Sequence, residues 1–332
     1  AKTIYHMREL GCTRIELGLQ APDDAILKLV KRGHTVQQFK DAMFLLRQAG
    51  FKVDLHFMPD LPGTTPEHDV EMYKLLFTDT GLRPDMVKIY PNTVIPSAEL
   101  QTWYEQGKYK PYGNGKLFEA LIQMKLATPR YCRISRLIRD IPSNKITAGN
   151  IVTNLREELI KELNKRGQKC TCLRCREIGR NIQTFEHTNI QTSKHLNMQT
   201  IPKLFVEKYN TIGGTEYFLS FEDKNRIAVF AFLRLRLPEK TNNNELHNLM
   251  PEIKNCAFIR ELHTYGQLVA IGKTEAEASQ HKGMGKKLLL EAEKIAKQNG
   301  FAKLAVISGV GVRDYYRQNG YGKIGSYMIK SI

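Results

Sequence analysis

The stretch that decides the fold is Gln280-His281-Lys282-Gly283-Met284-Gly285, which leads directly into KKLLLEAEKIAKQNG at residues 286–300. The second run has the apolar spacing of an amphipathic helix, and a strand is predicted within residues 258–271 before the loop. Two loop glycines leave backbone N–H groups uncovered, and the helix N-terminus adds partial positive charge. This order predicts a cradle for a pyrophosphate rather than an ordinary turn. The helix residues predicted to face the core are Leu288, Leu289, Ala292, Ile295 and Ala296.

A second segment follows downstream. Residues 301–311 (FAKLAVISGVG) read as a buried strand, and VRDYYRQNGY after them reads as a short helix that ends at Gly320. Together with the cradle, these runs resemble the GCN5-related acetyltransferases, whose coenzyme A loop carries Gln-x-x-Gly-x-Gly. The resemblance implies acetyl-CoA bound at residues 280–285, near Glu261 and His263. It also makes Tyr316, beside Tyr315, the candidate acid for the leaving thiolate; the alternative is that these tyrosines only pack the helix onto the sheet.

Composition sets the broad class of the chain. Its 332 residues, 42% of them hydrophobic, are enough for two domains with real cores, which excludes a disordered protein. Lys and Arg outnumber Asp and Glu by 50 to 34, and a net charge of +16 favours a polyanionic partner, with nucleic acid first. We expect no membrane partner, because no apolar run reaches transmembrane length, and reduced cysteines in a cytoplasmic protein. The chain begins at Ala1 within a predicted helix, so we expect it to be a piece of something longer.

The first 140 residues alternate strands with helices. Such alternation predicts parallel strands with right-handed crossovers, but four units are too few to close an eight-stranded barrel. Each strand has one apolar face and one polar face, and the polar faces carry Glu16, His56 and Lys88. A charged interior predicts an occupied or water-filled cavity, because unpaired buried charge is costly. The predicted strands are 13–20, 52–58, 86–91 and 131–138, and the predicted helices are 23–31, 35–50, 66–79 and 115–127.

Several runs in this half resemble the radical S-adenosylmethionine (SAM) enzymes: RIELGLQ (14–20), KRGHT (31–35) and AGFKVDLHFMPDLPGTT (49–65). With the acetyltransferase half, the chain resembles the family of Elongator catalytic subunits, which are tRNA-modifying acetyltransferases. Matching runs are KIYPNTVI (88–95), YEQGKYKPY (104–112), RISRLIRDIP (133–142) and FIRELHTYG (258–266). The implied α/β fold is a partial (βα) radical-SAM-type barrel over 1–143, a cysteine-rich zinc linker over 144–198, and a GCN5-related acetyltransferase domain over 199–332.

The resemblance also implies the reaction: transfer of an acetyl group from acetyl-CoA to carbon 5 of the wobble uridine of tRNA, with a radical derived from SAM. It places Glu16, Gln20 and His56 on the SAM side and makes Lys88 a further catalytic candidate. The family carries a cysteine trio near its first strand for a 4Fe–4S cluster, and no such trio precedes Thr13 here. We therefore expect either that the protein continues upstream, which we prefer, or that this form is radical-inactive.

Three cysteines lie close together in the linker. Cys170, Cys172 and Cys175 form C-x-C-x-x-C, a spacing that lets thiolates converge on one tetrahedral ion, usually zinc. A closed site needs a fourth ligand, for which Cys132 and His187 are candidates. An iron–sulfur cluster and three free thiols are the alternatives, and the resemblance favours a structural zinc.

Basic and aromatic residues are interleaved before and within the linker. Lys and Arg can neutralise phosphates, and Tyr104, Tyr109 and Tyr112 can stack on unpaired bases. The predicted partner is the anticodon stem-loop of tRNA, with Elongator-type subunits or a second copy as further partners. The candidate RNA contacts are Arg133, Arg136, Arg139, Lys108, Lys110, Lys165 and Arg166.

Two other functions are open. A protein lysine acetyltransferase with the barrel as a scaffold would need Glu261 or His263 as general base. A non-catalytic tRNA-binding subunit would explain the missing cluster cysteines. The net charge disfavours the first, and the intact Gly283 and Gly285 disfavour the second. Residues 240–254 (KTNNNELHNLMPEIK) lack periodicity and are predicted to form a surface loop.

Overall fold

The computed structural model describes residues 1–138, 141–152, 154–178, 201–239, 244–265 and 283–332. The chain divides into two compact units. The first unit comprises Glu16–Met43 and Val53–Arg174, and the second comprises Ala1–Ile15, Phe44–Lys52 and Cys175–Ile332. The predicted domain boundaries after residues 143 and 198 stay a prediction. Within the described residues, no helix combines the length and the apolar character needed to cross a bilayer.

The first half of the chain contains a four-stranded sheet in the order β1-β2-β3-β5. Its strands are β1 (Arg14–Gln20), β2 (Lys52–Phe57), β3 (Met86–Ile89) and β5 (Arg133–Arg136), and the short strands β4 (Thr93–Val94) and β6 (Ala148–Gly149) pair with each other. The helices are α1 (Lys2–Glu9), α2 (Asp24–Leu29), α3 (Val36–Gln48), α4 (Pro66–Thr78), α5 (Glu99–Glu105), α6 (Asn114–Ala127), α7 (Leu155–Lys165) and α8 (Leu173–Arg176), with a 3₁₀ turn at Ser143–Lys145.

This half confirms the predicted alternation of strands and helices. The pairs β2–β3 and β3–β5 are parallel, as crossover helices require. Helix α4 begins where its sequence indicates, because the Thr65 side chain accepts from the His68 N–H and Pro66 occupies the first turn. Strand β2 buries its apolar face completely. Asp54, on the opposite face, is also buried and accepts a hydrogen bond from the Ser135 hydroxyl at 2.9 Å.

A seven-stranded sheet forms the second half, in the order β12-β13-β11-β10-β9-β8-β7. Its pairs are antiparallel except β10–β11, which is parallel. The strands are β7 (Lys203–Thr211), β8 (Gly214–Glu222), β9 (Val229–Pro238), β10 (Cys256–Thr264), β11 (Lys303–Val306), β12 (Gly322–Ile324) and β13 (Tyr327–Ser331). The helices are α9 (Asn244–Leu249), α10 (Met284–Gln298) and α11 (Arg313–Gln318), with 3₁₀ turns at Pro251–Ile253 and Val310–Val312.

Helix α10 confirms the prediction made from its periodicity. It begins at Met284, one residue after Gly283, and the five residues predicted to face the core are buried in one apolar cluster with β8, β9 and β10. The predicted surface loop at residues 240–254 is wrong in its described part. From Asn244 onward it holds α9 and a 3₁₀ turn, and it buries Leu246, Met250 and Ile253. A six-residue helix is too short to show a period, so its apolar residues looked isolated.

A buried charge cluster stabilises the second unit. Glu216 of β8 accepts from Arg236 at 3.0 Å and from Arg260 at 3.0 Å, and Arg47 lies 3.6 Å away. Arg260 also donates to the carbonyl of Phe51 at 2.8 Å, and the Tyr327 hydroxyl donates to that of Ala49 at 2.8 Å. These bonds tie residues 44–52 to the seven-stranded sheet. The sequence gives no signal for them, because an arginine within a strand looks like a surface residue.

Candidate functional site

The Gly-rich loop ends in a geometry suited to an anion. Gly283 is the N-cap of α10 with a φ of +95°, a left-handed conformation that glycine adopts without strain. The first-turn N–H groups of the helix have no intrahelical acceptor, so they face whatever lies before the helix. A Cβ at Gly285 would lie 2.6 Å from the Tyr315 hydroxyl, so a larger residue would have to displace that hydroxyl. Gln280, His281 and Lys282 lie outside the described residues.

The parallel pair β10–β11 brings further candidates to the same end of the sheet. Ligands of α/β sheets bind at the carboxyl ends of parallel strands, and Glu261 and His263 lie near that end of β10. The Glu261 carboxylate accepts from Arg234 Nε at 2.9 Å and lies 3.6 Å from Lys52 Nζ. The His263 ring is exposed and lies 5.7 Å from the Phe232 ring. Glu261 is therefore held in ion pairs, which is unfavourable for a general base.

The two adjacent tyrosines of α11 occupy different environments. Tyr316 is 5% exposed and belongs to the apolar cluster, with its ring edge-on to Tyr321 at 6.0 Å. Burial, followed by the effect of Tyr315, raises the pKa of Tyr316 well above its ordinary value, so its phenol stays protonated at neutral pH. Tyr315 is 38% exposed, and its hydroxyl lies beside Gly285. The structure thus brings both tyrosines to the region of the cradle, one inside the core and one at its surface.

The described half of the loop fits the pyrophosphate of coenzyme A. Free N–H groups, the helix dipole and the exposed Lys286 and Lys287 all favour negative charge at the N-terminus of α10. This fit concerns Gly283, Met284 and Gly285, because the first three predicted loop residues are not described.

A half-open cavity of about 720 Å³ lies against the polar face of the four-stranded sheet. Lys88 donates a hydrogen bond to the Glu16 carboxylate, and His56 Nε2 lies 3.3 Å from the same oxygen. The hydrogen bond from Lys88 lowers the pKa of Glu16, and His56 adds to the effect. The cavity is lined by Glu16, Gln20, Val30, Arg32, His56, Met58, Leu61, Lys88, Tyr90, Arg136 and Ile141.

Two details indicate that this cavity is built for a polar ligand. Gln20 has a φ of +70°, which is rare for a residue other than glycine, and its buried Oε1 has no hydrogen-bond partner. A Cβ at Gly18 would lie 2.5 Å from an Arg32 terminal nitrogen and 2.7 Å from Gln20 Nε2. These residues fit SAM, which carries both an ammonium and a carboxylate. They do not fit a 4Fe–4S cluster, because no cysteine is among the described lining residues.

The cysteine motif forms a compact group. The sulfur atoms of Cys170, Cys172 and Cys175 all lie within 4.8 Å of one another, and among the described residues this is the one group of three or more potential metal ligands. Three converging thiols fit a zinc ion. Cys132 is buried but does not belong to the group, and His187 lies outside the described residues. The fourth ligand therefore stays open between these two and others.

The predicted RNA contacts differ in their exposure and in the groups around them. Lys108, Lys110 and Lys165 are exposed, whereas Arg166 pairs with Glu162 at 2.8 Å and Glu119 at 2.9 Å. Arg133 and Arg136 lie on β5, where Arg136 lines the cavity of Glu16. Arg139 lies outside the described residues.

One of the aromatic residues is not available to stack on a base. Tyr109 is buried, and its hydroxyl donates to the carbonyl of Asp60 at 2.7 Å. Sequence patterns could not separate it from Tyr104, which is exposed and lies about five residues earlier.

Comparison with known proteins places the chain in a class. The model of the Radical SAM superfamily matches residues 2–76, and the model of the Radical_SAM C-terminal domain matches residues 84–165. The tRNA uridine(34) acetyltransferase of Methanocaldococcus jannaschii is 43% identical over 99% of this chain and 59% of its own length. That of Dehalococcoides mccartyi is 39% identical over 99% of this chain and 68% of its own length.

Comparison with solved structures gives the same result as comparison of sequences. The archaeal Elp3 of Methanocaldococcus infernus with an N-terminal deletion matches with a TM-score of 0.87 at 40% identity, covering 100% of this chain and 75% of that one. Human Elongator complex protein 3 is 36% identical over 98% of this chain and 57% of its own length. The class is a radical SAM protein joined to an acetyltransferase-type domain. Within it, the chain belongs to the family of Elongator complex protein 3 and the tRNA uridine(34) acetyltransferases. It spans 59–60% of the two Methanocaldococcus acetyltransferases that it matches.

Proposed function

We propose that this chain acts in the acetylation of tRNA at carbon 5 of the wobble uridine, with acetyl-CoA as the donor of a group that becomes acetyl or carboxymethyl. The observation that carries the proposal is the combination of two sites on one chain. A polar cavity lies on a radical-SAM-type sheet, and an anion cradle lies on an acetyltransferase-type sheet. Relatives named tRNA uridine(34) acetyltransferase are similar in sequence to this chain over 99–100% of its length.

The acetyl side rests on the first turn of α10. Gly283 and Gly285 would hold the pyrophosphate of acetyl-CoA through backbone N–H groups. Tyr316 would donate a proton to the departing thiolate, because a buried phenol with a raised pKa stays protonated at neutral pH. Tyr315 would position the coenzyme, since its hydroxyl lies against Gly285.

The SAM side rests on the cavity of Glu16. Bound SAM would supply a radical once it receives one electron from a reductant outside the described residues, and radical chemistry suits a carbon that is a poor nucleophile for ordinary acyl transfer. The chain's own part is to bind and orient: Glu16 suits the ammonium of SAM, Gln20 offers an unbonded acceptor, and Lys88 is placed to hold a proton or an anionic group. No step is assigned to an iron–sulfur cluster, because the described cavity offers it no cysteine ligand.

The remaining parts of the proposal concern partners. Exposed lysines and the net charge of +16 suit the phosphates of tRNA. The three linker cysteines would hold a structural zinc. Elongator-type subunits or a second copy as partners, and a cytoplasmic location, stay predictions.

The test is turnover of acetyl-CoA by the full chain in the presence of different acceptors. We expect stimulation by tRNA that carries uridine at position 34, and none by the same tRNA with cytidine there or by a lysine-rich protein. Stimulation by the protein alone would overturn the proposal in favour of lysine acetylation. Binding of tRNA without turnover by any acceptor would favour a non-catalytic subunit.

A matched pair of variants tests the cradle separately. Gly283→Val forces a β-branched residue into a left-handed backbone and should abolish acetyl-CoA binding while tRNA binding persists. Gly322→Val is the control, because a Cβ at Gly322 meets no atom within 4 Å. Equal acetyl-CoA affinity in the two variants would remove the pyrophosphate from this loop.

A further inference from the structure

A second cavity in the first unit has no role in the proposed chemistry. Its volume is about 580 Å³, which is within the range of sites that enclose small organic groups. Its walls come from the end of α5, the start of α6 and the segment between them, from β6 and the residue after it, and from Asp60. The lining residues are Asp60, Tyr104, Glu105, Gly107, Tyr109, Lys110, Pro111, Gly113, Asn114, Leu117, Ala148, Gly149 and Asn150.

The floor of this cavity is fixed by a buried aspartate. Asp60 adopts a φ of +68°, a conformation that a side chain rarely takes without a structural reason. Its carbonyl accepts from the Tyr109 hydroxyl at 2.7 Å and from Asn92 at 3.1 Å, and its carboxylate accepts from the Tyr112 N–H at 3.2 Å. The segment is therefore fastened on both sides of Lys110.

A second buried aspartate completes the fastening. Asp69 accepts from the Asp60 N–H at 2.6 Å and from the Tyr112 hydroxyl at 2.8 Å. The opposite wall is equally fixed, because Gly149 pairs with Thr93, and a Cβ at Gly149 would lie 3.0 Å from the Asn92 carbonyl oxygen. The cavity is thus preformed and needs no rearrangement to accept a ligand.

The open side of the cavity carries the groups that unpaired RNA requires. Tyr104 is 36% exposed and offers an aromatic face for stacking. Lys110 is exposed at the rim and supplies positive charge for a phosphate. Asn114 provides an amide group that can bond the edge of a base, and Leu117 provides an apolar wall. Glu105 is the one carboxylate on the rim, and it can accept from an exocyclic amine or a ribose hydroxyl.

We propose that this cavity binds one unpaired nucleotide of the RNA substrate, with its base stacked on Tyr104 and its phosphate beside Lys110. The site is separate from the cavity of Glu16, with which it shares no lining residue. The inference rests on the proposed function for its choice of RNA, and it adds a positioning site that holds the substrate by a base outside the reaction.

The chain carries its own reporter for this site. Trp103 is its single tryptophan, it precedes Tyr104 on α5, and its carbonyl accepts from the Lys108 N–H at 2.8 Å. The experiment titrates the full chain with a hairpin RNA that has a single-stranded loop, and with a blunt duplex of the same stem. We expect the hairpin to change Trp103 fluorescence saturably and the duplex, at equal phosphate concentration, to leave it unchanged. Anisotropy of end-labelled RNA gives the affinity independently.

Variants at one position decide the outcome. Tyr104→Ala should weaken hairpin binding about tenfold, the loss of one base–aromatic stack, while Tyr104→Phe should bind within about twofold of the unsubstituted chain. Tyr5→Ala, at a surface tyrosine of α1, is the control and should have no effect. Equal hairpin affinity in the Tyr104→Ala, Tyr104→Phe and Tyr5→Ala variants would overturn the proposal, as would equal quenching by the duplex.

The failure of this inference is distinguishable from failure of the proposed function. Absence of tRNA-stimulated acetyl-CoA turnover by the unsubstituted chain would contradict the function while leaving hairpin-specific quenching intact. Normal turnover with no difference between the Tyr104 variants would contradict the nucleotide cavity alone.

Discussion

Two clusters in this chain combine a carboxylate with cations, and they differ mainly in their access to water. Glu216 is 0% exposed and lies among Arg47, Arg236 and Arg260 in the second unit. The Glu16 side chain is 39% exposed and lies between Lys88 and His56 at the wall of a cavity. The arginines of the first cluster donate to protein groups besides Glu216, including the carbonyls of Ile212, Gly213 and Phe51.

This difference separates a structural cluster from a binding one. Removing a charge from water costs several kcal/mol, so a sealed cluster depends on the oppositely charged partners that it keeps, and the loss of one of them is severe. An ion pair that remains in contact with water contributes little to stability. It can exchange its partners for those of a ligand. The same residue types therefore support the fold in one unit and offer a site in the other.

The largest expected effect comes from breaking the sealed cluster. Glu216→Gln leaves three buried arginines without their shared carboxylate, so we expect the free energy of unfolding to fall by about 3–5 kcal/mol. Denaturant unfolding measures this change. Glu71→Gln is the control, because it removes only an exposed ion pair with Lys74 and should cost less than about 1 kcal/mol. Equal losses in the two variants would contradict the distinction.

A second prediction uses carboxylates that are buried without a cation. Burial raises the pKa of Asp60 from 3.8 to about 7 and that of Asp69 to about 6. Between the ordinary pKa of 3.8 and these raised pKa values, the two carboxyl groups are ionised in the unfolded chain but still protonated in the folded chain. The free energy of unfolding must therefore fall as pH rises from about 4 to 7. Asp60→Asn removes one of the titrating groups and should reduce this decline in unfolding free energy by about 2–4 kcal/mol. The fold should be kept, because asparagine tolerates the left-handed backbone at this position.

The measurement is the unfolding free energy of both proteins at pH 4.5 and pH 7.5. Asp41→Asn, at an exposed aspartate of α3, is the control and should keep the slope of the unsubstituted chain. An undiminished slope in Asp60→Asn would show that the carboxyl group is ionised in the folded chain at pH 4.5, against the effect of its burial.

The tyrosines of α11 extend the contrast between sealed and open groups. Tyr316→Phe should lower kcat for acetyl transfer about 100-fold, a typical loss for a general acid, with acetyl-CoA affinity unchanged. Tyr315→Phe should instead weaken coenzyme binding and change kcat only a few-fold, because its hydroxyl lies against Gly285. Steady-state kinetics and equilibrium binding separate the two results. A larger loss of kcat in Tyr315→Phe would move the acid to the exposed position.

Elements with a regular period were predictable from the sequence. The apolar face of α10 and the buried face of β2 follow from local spacing, and the structure has both. The predicted strands and helices of the first half also match within a few residues. These features depend on residues that are close together in the chain, and the spacing of such residues can be read directly from the sequence.

The contacts that were missed join residues far apart in the chain. Asp60 meets Tyr109 and Tyr112 across 49 and 52 positions, and Glu216 meets Arg260 across 44. Nothing local distinguishes Tyr109, which is an anchor, from Tyr104, which is exposed. Which side chains line a cavity is likewise decided by the packing of separate elements, so the sequence could not indicate that Arg136 lines the cavity of Glu16.

The smallest expected effect comes from breaking the open cluster. Glu16→Gln removes the charge that faces Lys88 and His56 but keeps the shape of the side chain, and so we expect less than about 1 kcal/mol of lost stability. SAM affinity should fall about tenfold, because the carboxylate would lose its role toward the ammonium of SAM. Equilibrium dialysis of SAM against the full chain measures this without any turnover. Glu99→Gln, which breaks the exposed pair with Lys31, is matched in charge and should leave SAM affinity unchanged. A large loss of stability in Glu16→Gln with unchanged SAM affinity would show that the cluster of Glu16 has a structural role. Solvent exposure would then not distinguish a binding cluster from a structural one.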